Sequence, residues 1–432
     1  MHFYSLNNHS PAVNFKHATI QGQAPDGGLY YPSHIPQQPI SYINNLVNIS
    51  NTQIAYDVLL PYVGDAIPPE KLYNIVEEAF DFAIPLVPIT ENVSSLELFH
   101  GPTLAFKDVG ARFMSRCLSY FVKDAKQKVT VLVATSGDTG GAVASGFYNI
   151  PGINVVILYP SGKVSKVQEK QLTTYGNNIT ALEVAGNFDD CQAMVKAAFS
   201  DTKLNGKLFL TSANSINVAR WLPQQVYYYF AYKQLVNKEI PTVLSVPTGN
   251  LGNAAAGLLA MASGLPFHHL IAACNSNATV ANYFTTKQYS PQPTIATISN
   301  AMDVSNPSNF VRMLRLYANN LPQLYTQVSS ISVTEAQTAE ALLQLHTQHN
   351  YLPDTHGAVG YYALQQYLQQ HPTHQGILLE TAHPIKFYDV VEPIINAKVP
   401  MPTSIQKIME LPSKSIKIKA TSDALMDYLH NL

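Results

Sequence analysis

The sequence predicts an α/β fold in which parallel strands carry helices on both faces. From about Leu96, short β-rich runs alternate with helical patterns, and this alternation is typical of βαβ units. Three glycine loops each follow a strand-like run and precede a helix-like one, and open α/β sheets bind ligands in such loops. The 432 residues are enough for two or three domains with a sizeable core.

The elements follow one another in a simple order. Residues 1–90 are mixed, with a Gly/Pro-rich turn and then a helical pattern that starts near Pro68. The strand candidates come next, as VTVLVA, VVILYP, ITALEVAG, LFLTSA, TVLSVP, HLIAAC and GILLETA. Helix candidates include DDCQAMVKAAF, PQQVYYYFAYKQL and, at 333–350, VTEAQTAEALLQLHTQHN. We expect the more basic segment after Pro402 to be peripheral.

Charge and cysteine content exclude several classes of protein. The chain has 26 basic and 28 acidic residues, and a net charge of −2 lacks the basic excess that nucleic-acid binding requires. No apolar run approaches the roughly 18 residues of a membrane-spanning helix, and the first residues lack the regions of a signal peptide. An odd number of cysteines without close pairing favours reduced thiols in the cytoplasm; they are Cys117, Cys191 and Cys274.

Lys107 is a lysine in an apolar setting, FHGPTLAFKDVG. It could extend its amine to the surface, pair with Asp108, or act as a nucleophile that forms a Schiff base. An amine is nucleophilic only when it is neutral, so a desolvated site favours the third interpretation. Apolar residues downstream follow helical spacing, which puts Lys107 at a helix start, where the helix dipole lowers an amine pKa.

The glycine loops add polar groups that suit bound anions. The loop at 131–148 combines glycines with the hydroxyls of Thr135, Ser136 and Thr139 at a predicted helix start. Its Asp138 would repel an anion and suits a hydroxyl or a cation instead. The loop at 244–260 has no basic residue, so it would hold a phosphate by backbone amides alone, at Gly249, Asn250, Leu251, Gly252 and Asn253. The alternative for each loop is an ordinary strand-to-helix turn.

Two further stretches of the sequence contain candidate binding residues. The stretch at 211–221 clusters side chains suited to an oxyanion, namely Asn214, Ser215 and Arg220, although a polar turn that caps a helix is the simpler alternative. In the loop at 376–387, the Thr381 hydroxyl could bond a buried ring nitrogen. A nucleophilic lysine, an amide-lined phosphate loop, a hydroxyl for a ring nitrogen and a second oxyanion site are what pyridoxal 5'-phosphate and an anionic substrate require.

Six motifs resemble one enzyme family in sequence and in order: ELFHGPTLAFKD, TSGDTGGAVA, SANSINVAR, GNLGN, SNAMDVSNPSN and TAHPIKF. They are similar to the threonine synthase family of fold-type II pyridoxal-phosphate enzymes. The resemblance runs from about Phe3 to Val390, and the final forty residues carry no motif. It implies two parallel-sheet α/β domains with the cofactor between them, plus an N-terminal α/β region.

The resemblance implies a role for each candidate residue. Lys107 would carry the cofactor as a Schiff base, residues 249–253 would hold its phosphate, Thr381 would face the pyridine nitrogen and Asp138 would lie near the phenolic oxygen. The substrate carboxylate would bind Thr135, Ser136 and Thr139, and the substrate phosphate would bind Asn214, Ser215 and Arg220. The family commonly has Phe and Asp where this chain has Leu251 and Asn253, so the role of that acidic residue is open here.

The implied division of the chain has four parts. They are an N-terminal region at 1–95, a smaller cofactor domain at 96–225 with Lys107 and the loop 135–140, a larger domain at 226–400 with the phosphate loop, and a tail at 401–432. We expect a cytoplasmic monomer or homodimer without metal, nucleic-acid or membrane partners.

The expected reaction converts O-phospho-L-homoserine and water to L-threonine and phosphate, the last step of threonine biosynthesis. One alternative is another fold-type II lyase, such as a serine/threonine dehydratase or a phospho-amino-acid lyase. A second alternative is a binding homologue without activity.

Overall fold

The computed structural model describes residues 1–125, 127–318 and 320–432. The strands in this part of the chain are β1 Phe3–Ser5, β2 Tyr30–Pro32, β3 Leu86–Pro88, β4 Val93–Glu97, β5 Val129–Ala134, β6 Ile153–Pro160, β7 Ile179–Ala185, β8 Phe209–Ser212, β9 Thr242–Pro247, β10 His269–Cys274, β11 Val328–Ser332, β12 Gln375–Glu380 and β13 Ser415–Lys419.

The α-helices in the same residues are α1 Phe15–Gln21, α2 Ile40–Asn44, α3 Asn51–Val63, α4 Pro69–Ala79, α5 Lys107–Val122, α6 Asp138–Phe147, α7 Lys166–Thr173, α8 Phe188–Ser200, α9 Thr202–Lys207, α10 Val218–Trp221, α11 Val226–Gln234, α12 Gly252–Ala262, α13 Thr279–Thr286, α14 Phe310–Leu316, α15 Leu321–Gln327, α16 Glu335–His349, α17 Thr355–Gln370, α18 Tyr388–Ile395, α19 Thr403–Glu410 and α20 Ser422–His430. Short 3₁₀ turns occupy Leu46–Asn48, Gly64–Ala66, Leu222–Gln225, Asn300–Met302 and Pro384–Phe387.

The larger sheet has the strand order β11-β10-β9-β12-β4-β3. Its strands are parallel except at one edge, where β3 runs antiparallel to β4. All residues of β9 and of β10 are buried, as expected for strands with helices on both faces. The predicted parallel α/β architecture is therefore confirmed for this sheet.

The smaller sheet has the order β13-β7-β6-β5-β8 and is parallel throughout. Its central strand β5 coincides with the predicted run VTVLVA and is buried along its whole length. Helix α5 packs against α6 beside this sheet, and both helices begin next to the predicted glycine loops. The two sheets confirm the expected pair of parallel α/β units.

The N-terminal region adds a two-stranded antiparallel sheet, β1 and β2, together with helices α1 to α4. Its apolar residues, such as Phe3, Phe15 and Leu59, belong to the same core cluster as Phe113 of α5 and Trp221 of α10. The region is therefore packed into the main body of the protein.

The C-terminal segment corrects one expectation. Strand β13 pairs in parallel with β7, from Ser415 opposite Ala181 to Lys419 opposite Ala185, and Leu425 of α20 is buried against the same unit. The expectation of a peripheral segment is wrong, because local composition does not reveal that a distant segment completes a sheet. Strand β4 likewise spans the predicted boundary at 95/96 and joins the larger sheet, while the four-part division itself stays a prediction.

Within the described residues, every helix is too short or too polar to span a membrane.

Candidate active site

One cavity of about 370 Å³ brings all the predicted site residues together. Residues that follow β5 of the smaller sheet line it on one side, and residues that follow β9 and β12 of the larger sheet line it on the other. The predicted residues in its lining are Lys107, Thr135, Ser136, Asp138, Thr139, Asn214, Ser215, Arg220, Gly249, Asn250, Leu251, Gly252, Asn253 and Thr381. The cavity thus lies at the carboxyl ends of strands from both sheets, where ligands of open α/β sheets bind.

Lys107 is the first residue of α5, as predicted. The segment before it is attached to the end of β12, because the Phe106 N–H donates to the Thr381 carbonyl (2.9 Å) and Ala105 pairs with Ala382 as an antiparallel bridge. The backbone therefore fixes Lys107 relative to Thr381.

Asp108 stabilises the loop that precedes Lys107 by hydrogen bonds. Its buried carboxylate accepts from the backbone N–H of Thr103 (2.9 Å) and from the Thr103 hydroxyl. Burial raises the pKa of Asp108, and the hydrogen bonds from Thr103 oppose this shift. The ion pair of Lys107 is formed with Asp138, so the alternative of a Lys107–Asp108 pair is wrong.

Two lysines share the carboxylate of Asp138. Lys107 Nζ lies 3.6 Å from Oδ2, and Lys386 Nζ lies 2.9 Å from Oδ1. Burial lowers the pKa of Lys107, although the charge of Asp138 opposes this shift. Burial alone would raise the pKa of Asp138, but the charges of Lys386 and Lys107 outweigh it and hold that pKa well below its usual range.

Sequence reasoning missed Lys386, although the lysine stands in the quoted motif TAHPIKF. The sequence feature that could have identified Lys386 is a lysine between apolar residues, the same feature that pointed to Lys107. Lys386 also follows soon after a predicted strand end. Nothing in the local pattern gives its distance from Asp138, which lies about 250 residues away in the chain.

The loop after β5 is ordered by the hydroxyl of Thr135. Its Oγ1 accepts from the backbone N–H groups of Gly137 (3.0 Å) and Gly140 (2.8 Å). Because this oxygen accepts two bonds, its own proton remains available for a ligand. Gly137 has φ of 136°, which a residue with a side chain rarely adopts.

The loop after β9 approaches its neighbours too closely for a side chain at its first glycine. A Cβ at Gly249 would lie 2.7 Å from the Cα of Met302. Leu251 adopts the left-handed conformation (φ 61°) directly before α12, and its side chain is fully buried. This geometry presents backbone N–H groups at a helix start, which is a favourable arrangement for a phosphate.

Asn253 stabilises that loop from within. Its Oδ1 accepts from the Thr248 hydroxyl (2.6 Å), and its Nδ2 donates to the Pro247 carbonyl (2.9 Å). The neutral amide of Asn253 therefore forms hydrogen bonds within the loop. This gives a structural role to Asn253, one of the two residues that depart from the family pattern.

Arg220 is buried in the wall of the cavity. Its Nη1 donates to the Ala213 carbonyl, while its Nε has no hydrogen-bond partner among the described residues. Burial lowers the pKa of Arg220 to about 10, so the guanidinium is still charged at neutral pH. A buried cation with a free donor is suited to an anionic ligand.

Asn250 and Ser215, both predicted site residues, bond to each other and to the segment before α14. Asn250 Nδ2 donates to the Ser215 hydroxyl (2.9 Å), and its Oδ1 accepts from the Ser308 N–H (2.6 Å). Sequence reasoning assigned no role to this segment, 292–308, which contributes Gln292, Met302, Asp303 and Ser308 to the lining. The sequence feature that could have identified this segment as part of the site is the quoted motif SNAMDVSNPSN.

Three histidines near the cavity have structural partners. His356, which lines the cavity, lies between Asp354 Oδ2 (Nδ1, 2.5 Å) and the Ala301 N–H, from which Nε2 accepts (3.1 Å). His383 caps a 3₁₀ turn, because its Nδ1 accepts from the Ile385 N–H (3.1 Å), and burial lowers its pKa to about 4. His100 Nε2 lies 2.7 Å from the carboxylate of Glu97.

Comparison with known proteins identifies the family. The family described as "Pyridoxal-phosphate dependent enzyme" matches residues 94–379, "Threonine synthase N terminus" matches residues 2–80, and "Threonine synthase, C-terminal" matches residues 357–429. A threonine synthase of Serratia marcescens is 41% identical, with 100% of both chains covered. The chain belongs to the threonine synthase family.

Solved threonine synthase structures have the same fold. The threonine synthase of Escherichia coli superposes with a TM-score of 0.94 at 41% identity, with 100% of both chains covered. The pyridoxal-phosphate-bound threonine synthase of Brucella melitensis superposes with a TM-score of 0.92 at 33% identity, with 100% of this chain and 99% of the other covered. The predicted fold-type II architecture and the pyridoxal-phosphate dependence are thereby confirmed.

The threonine synthase resemblance extends further than the motifs indicated. We expected it to end near Val390, but the C-terminal family match continues to residue 429. In the structure, β13 adds the edge strand of the smaller sheet and α20 packs against the same unit, although this segment contributes no residue to the cavity lining.

Proposed function

We propose that the cavity converts O-phospho-L-homoserine and water to L-threonine and phosphate. The observation that carries this proposal is Arg220, a buried guanidinium that lines the same cavity as Lys107 and whose Nε has no hydrogen-bond partner among the described residues. The amide loop at 249–253 can hold one phosphate, so a second anion site inside one cavity suits a substrate that carries its own phosphate. Membership of the threonine synthase family supports the same substrate.

The residues present fit the cofactor. Leu251 is in the left-handed conformation directly before α12, and residues 249–253 line the cavity, so the start of this helix can offer backbone N–H groups to a phosphate. Residues 249–253 would hold the phosphate of pyridoxal phosphate, Lys107 would bind it covalently, and Thr381 and Asp138 would face its ring. When bound, this cofactor supplies an electron sink for negative charge that develops on the substrate carbons.

Lys107 provides the base. Its Nζ removes a proton from the substrate Cα, then a proton from Cβ, and later returns a proton to Cγ, from which phosphate has departed. Water then adds as a hydroxyl at Cβ and a proton at Cα, which completes L-threonine, and the remaining proton leaves with the phosphate. Burial lowers the pKa of Lys107, which favours the neutral amine that proton removal requires.

Two sets of polar side chains bind opposite ends of the substrate and so orient it. The guanidinium of Arg220, with Asn214 and Ser215, binds the phosphate and stabilises it as it leaves. The hydroxyls of the loop after β5, on Thr135, Ser136 and Thr139, bind the carboxylate. Because the Thr135 oxygen already accepts two backbone bonds, its proton is available to donate to the carboxylate.

The test is a steady-state assay of the Arg220→Gln variant with O-phospho-L-homoserine, following phosphate and threonine separately. Loss of a charged hydrogen bond of about 3 kcal/mol should lower kcat/KM about a hundredfold. The matched control is Arg112→Gln, because Arg112 pairs with Asp81 away from the cavity and should leave kcat/KM unchanged.

Two outcomes would contradict the proposal. Accumulation of 2-oxobutanoate in place of threonine would assign the cavity to a dehydratase or phospho-amino-acid lyase reaction. Equal activity of the wild type and Arg220→Gln would remove Arg220 from substrate binding. A small-molecule substrate suits the cavity, whereas the monomer or homodimer state and the cytoplasmic location stay predictions.

A further inference from the structure

Lys386 is a second lysine beside the cavity, and it is fully buried. Its Nζ donates to the Thr103 carbonyl (2.8 Å) and lies 2.9 Å from Asp138 Oδ1. The side chain of Gln168 donates to the same carboxylate oxygen (2.8 Å). Lys386 therefore has two fixed oxygen partners and no direct contact with solvent.

Lys107 also interacts with the carboxylate of Asp138, but at a longer distance than Lys386 does. Its Nζ lies farther away, 3.6 Å from Asp138 Oδ2, and its side chain is 16% exposed towards the cavity. One buried carboxylate balances one buried cation, and a second unbalanced charge in a desolvated site is costly. The geometry favours Lys386 as the lysine that holds the proton.

The other charged groups near Lys107 and Lys386 also favour a neutral Lys107. Lys107 faces Asp138 of α6, Lys386 of the turn Pro384–Phe387 and Arg220 of α10. Lys386 in turn acts on Asp108 and on His383. Around Lys107, two positive charges thus face a single carboxylate, and a third positive charge on Lys107 itself would be repelled.

We propose that Lys386 is a positioning residue that occupies Asp138 as an ammonium ion and thereby leaves Lys107 as a neutral amine. The proposal rests on the proposed role of Lys107 as the lysine that binds the cofactor, and it explains how a carboxylate can lie beside that amine without holding it in the ammonium form. Burial and the two nearby cations lower the pKa of Lys107, in agreement with this assignment.

The chemical consequence concerns attachment of the cofactor. The lone pair of the Lys107 amine adds to the aldehyde carbon, a C=N bond replaces the C=O bond, and water leaves with the aldehyde oxygen and both amine hydrogens. An ammonium ion has no lone pair, so the rate of attachment follows the fraction of neutral Lys107. This rate is measured without any substrate.

The experiment uses the full chain, freed of cofactor and then supplied with pyridoxal phosphate at different pH values. The visible absorbance of attached cofactor gives the rate, and borohydride reduction with peptide mass analysis locates the attachment. In Lys386→Met, Asp138 pairs with Lys107 alone and stabilises its ammonium form. The midpoint of the rate profile should rise by at least about one pH unit, and the rate at pH 7 should fall about tenfold.

Two further variants separate this role from a structural one. In the double variant Lys386→Met/Asp138→Asn, no carboxylate holds the proton on Lys107, so the midpoint should return to within about 0.5 unit of the wild type. Lys386→Arg keeps a cation on Asp138 and should also keep the midpoint. If Lys386→Met does not fold, Lys386→Gln removes the same charge, and its midpoint should rise in the same way.

Three results would overturn the proposal. They are an unchanged midpoint in Lys386→Met, a uniform loss of rate at all pH values without a midpoint shift, and a midpoint that Asp138→Asn fails to restore. Failure of the proposed function appears elsewhere, as attachment to a residue other than Lys107 or as lack of threonine formation with a normal attachment profile.

Discussion

Glu380 is a buried carboxyl group without a basic partner among the described residues. Its Oε1 accepts from the Asp354 N–H (2.6 Å), while Oε2 has no partner in that part of the chain. Burial, together with the negative charge of Asp354, raises the pKa of Glu380 well above its usual range. A carboxyl group in this position keeps its proton where an exposed one would lose it.

This shift predicts a pH effect on stability. The unfolded chain releases the Glu380 proton near pH 4.5, whereas the folded chain keeps it, so the free energy of unfolding falls as pH rises above that value. The slope is at most about 1.4 kcal/mol per pH unit. In Glu380→Gln this contribution is absent, and urea unfolding at pH 5 and pH 7 should give a smaller loss of stability than in the wild type.

The control for this measurement is Glu410→Gln, because Glu410 is exposed at the end of α19. It should lose stability between the two pH values in parallel with the wild type. If Glu380→Gln also runs parallel to the wild type, Glu380 is ionised in the folded protein and the assignment fails.

Residue chemistry was predictable where it depends on local sequence. The apolar setting of Lys107 and its place at a helix start both follow from neighbouring residues, and the structure places it there. The charge balance at Asp138 was not predictable, because it depends on Lys386, which lies in the distant 3₁₀ turn Pro384–Phe387. Burial of Asp108 was equally hidden, since only its contact with Thr103 explains it.

At the scale of elements, helix α11 connects the two halves of the cavity through consecutive tyrosines. The Tyr227 hydroxyl donates to the carbonyl of Phe106, the residue before Lys107. The Tyr228 hydroxyl donates to the Asn253 carbonyl (2.7 Å) in the phosphate loop. One helix therefore supports both the lysine segment and the amide loop.

The third tyrosine provides a matched comparison. Tyr229 is also buried, but its hydroxyl bonds Ser263 Oγ (2.5 Å) at the far end of α12. We expect Tyr227→Phe, Tyr228→Phe and Tyr229→Phe each to lower the free energy of unfolding by about 1 kcal/mol. Only the first two should weaken pyridoxal-phosphate affinity, measured by equilibrium binding, because only they touch site segments. Weaker binding in Tyr229→Phe of equal size would refute this division.

Elements were predictable within a few residues, and their ends depended on caps. The helix predicted at 333–350 is α16, Glu335–His349, because Thr334 and Gln337 form a capping box. The run PQQVYYYFAYKQL contains α11, but its first residues form the 3₁₀ turn Leu222–Gln225. Strand order could not be predicted, since pairing of β4 with β12 is a property of tertiary packing.

At the scale of the whole molecule, the C-terminal segment closes the core of the smaller sheet. Leu425 is fully buried against residues of α8 and the sheet, whereas Ile416 on β13 is 45% exposed. Leu425→Ala should lower the free energy of unfolding by about 2–5 kcal/mol, because it leaves a cavity. Ile416→Ala is the control, and it should cost less than half as much in the same denaturant titration. Equal costs would show that α20 is not part of the cooperative core.

The pairing of β4 with β12 has a consequence for biosynthesis. The ribosome releases residues 93–97 long before residues 376–380, yet these two strands are neighbours in the larger sheet. Thr381, which anchors the segment before Lys107, emerges later still. The nascent chain must therefore carry an unpaired strand edge and an unassembled reactive site through most of its synthesis, and pairings of such long range are expected to form late in folding.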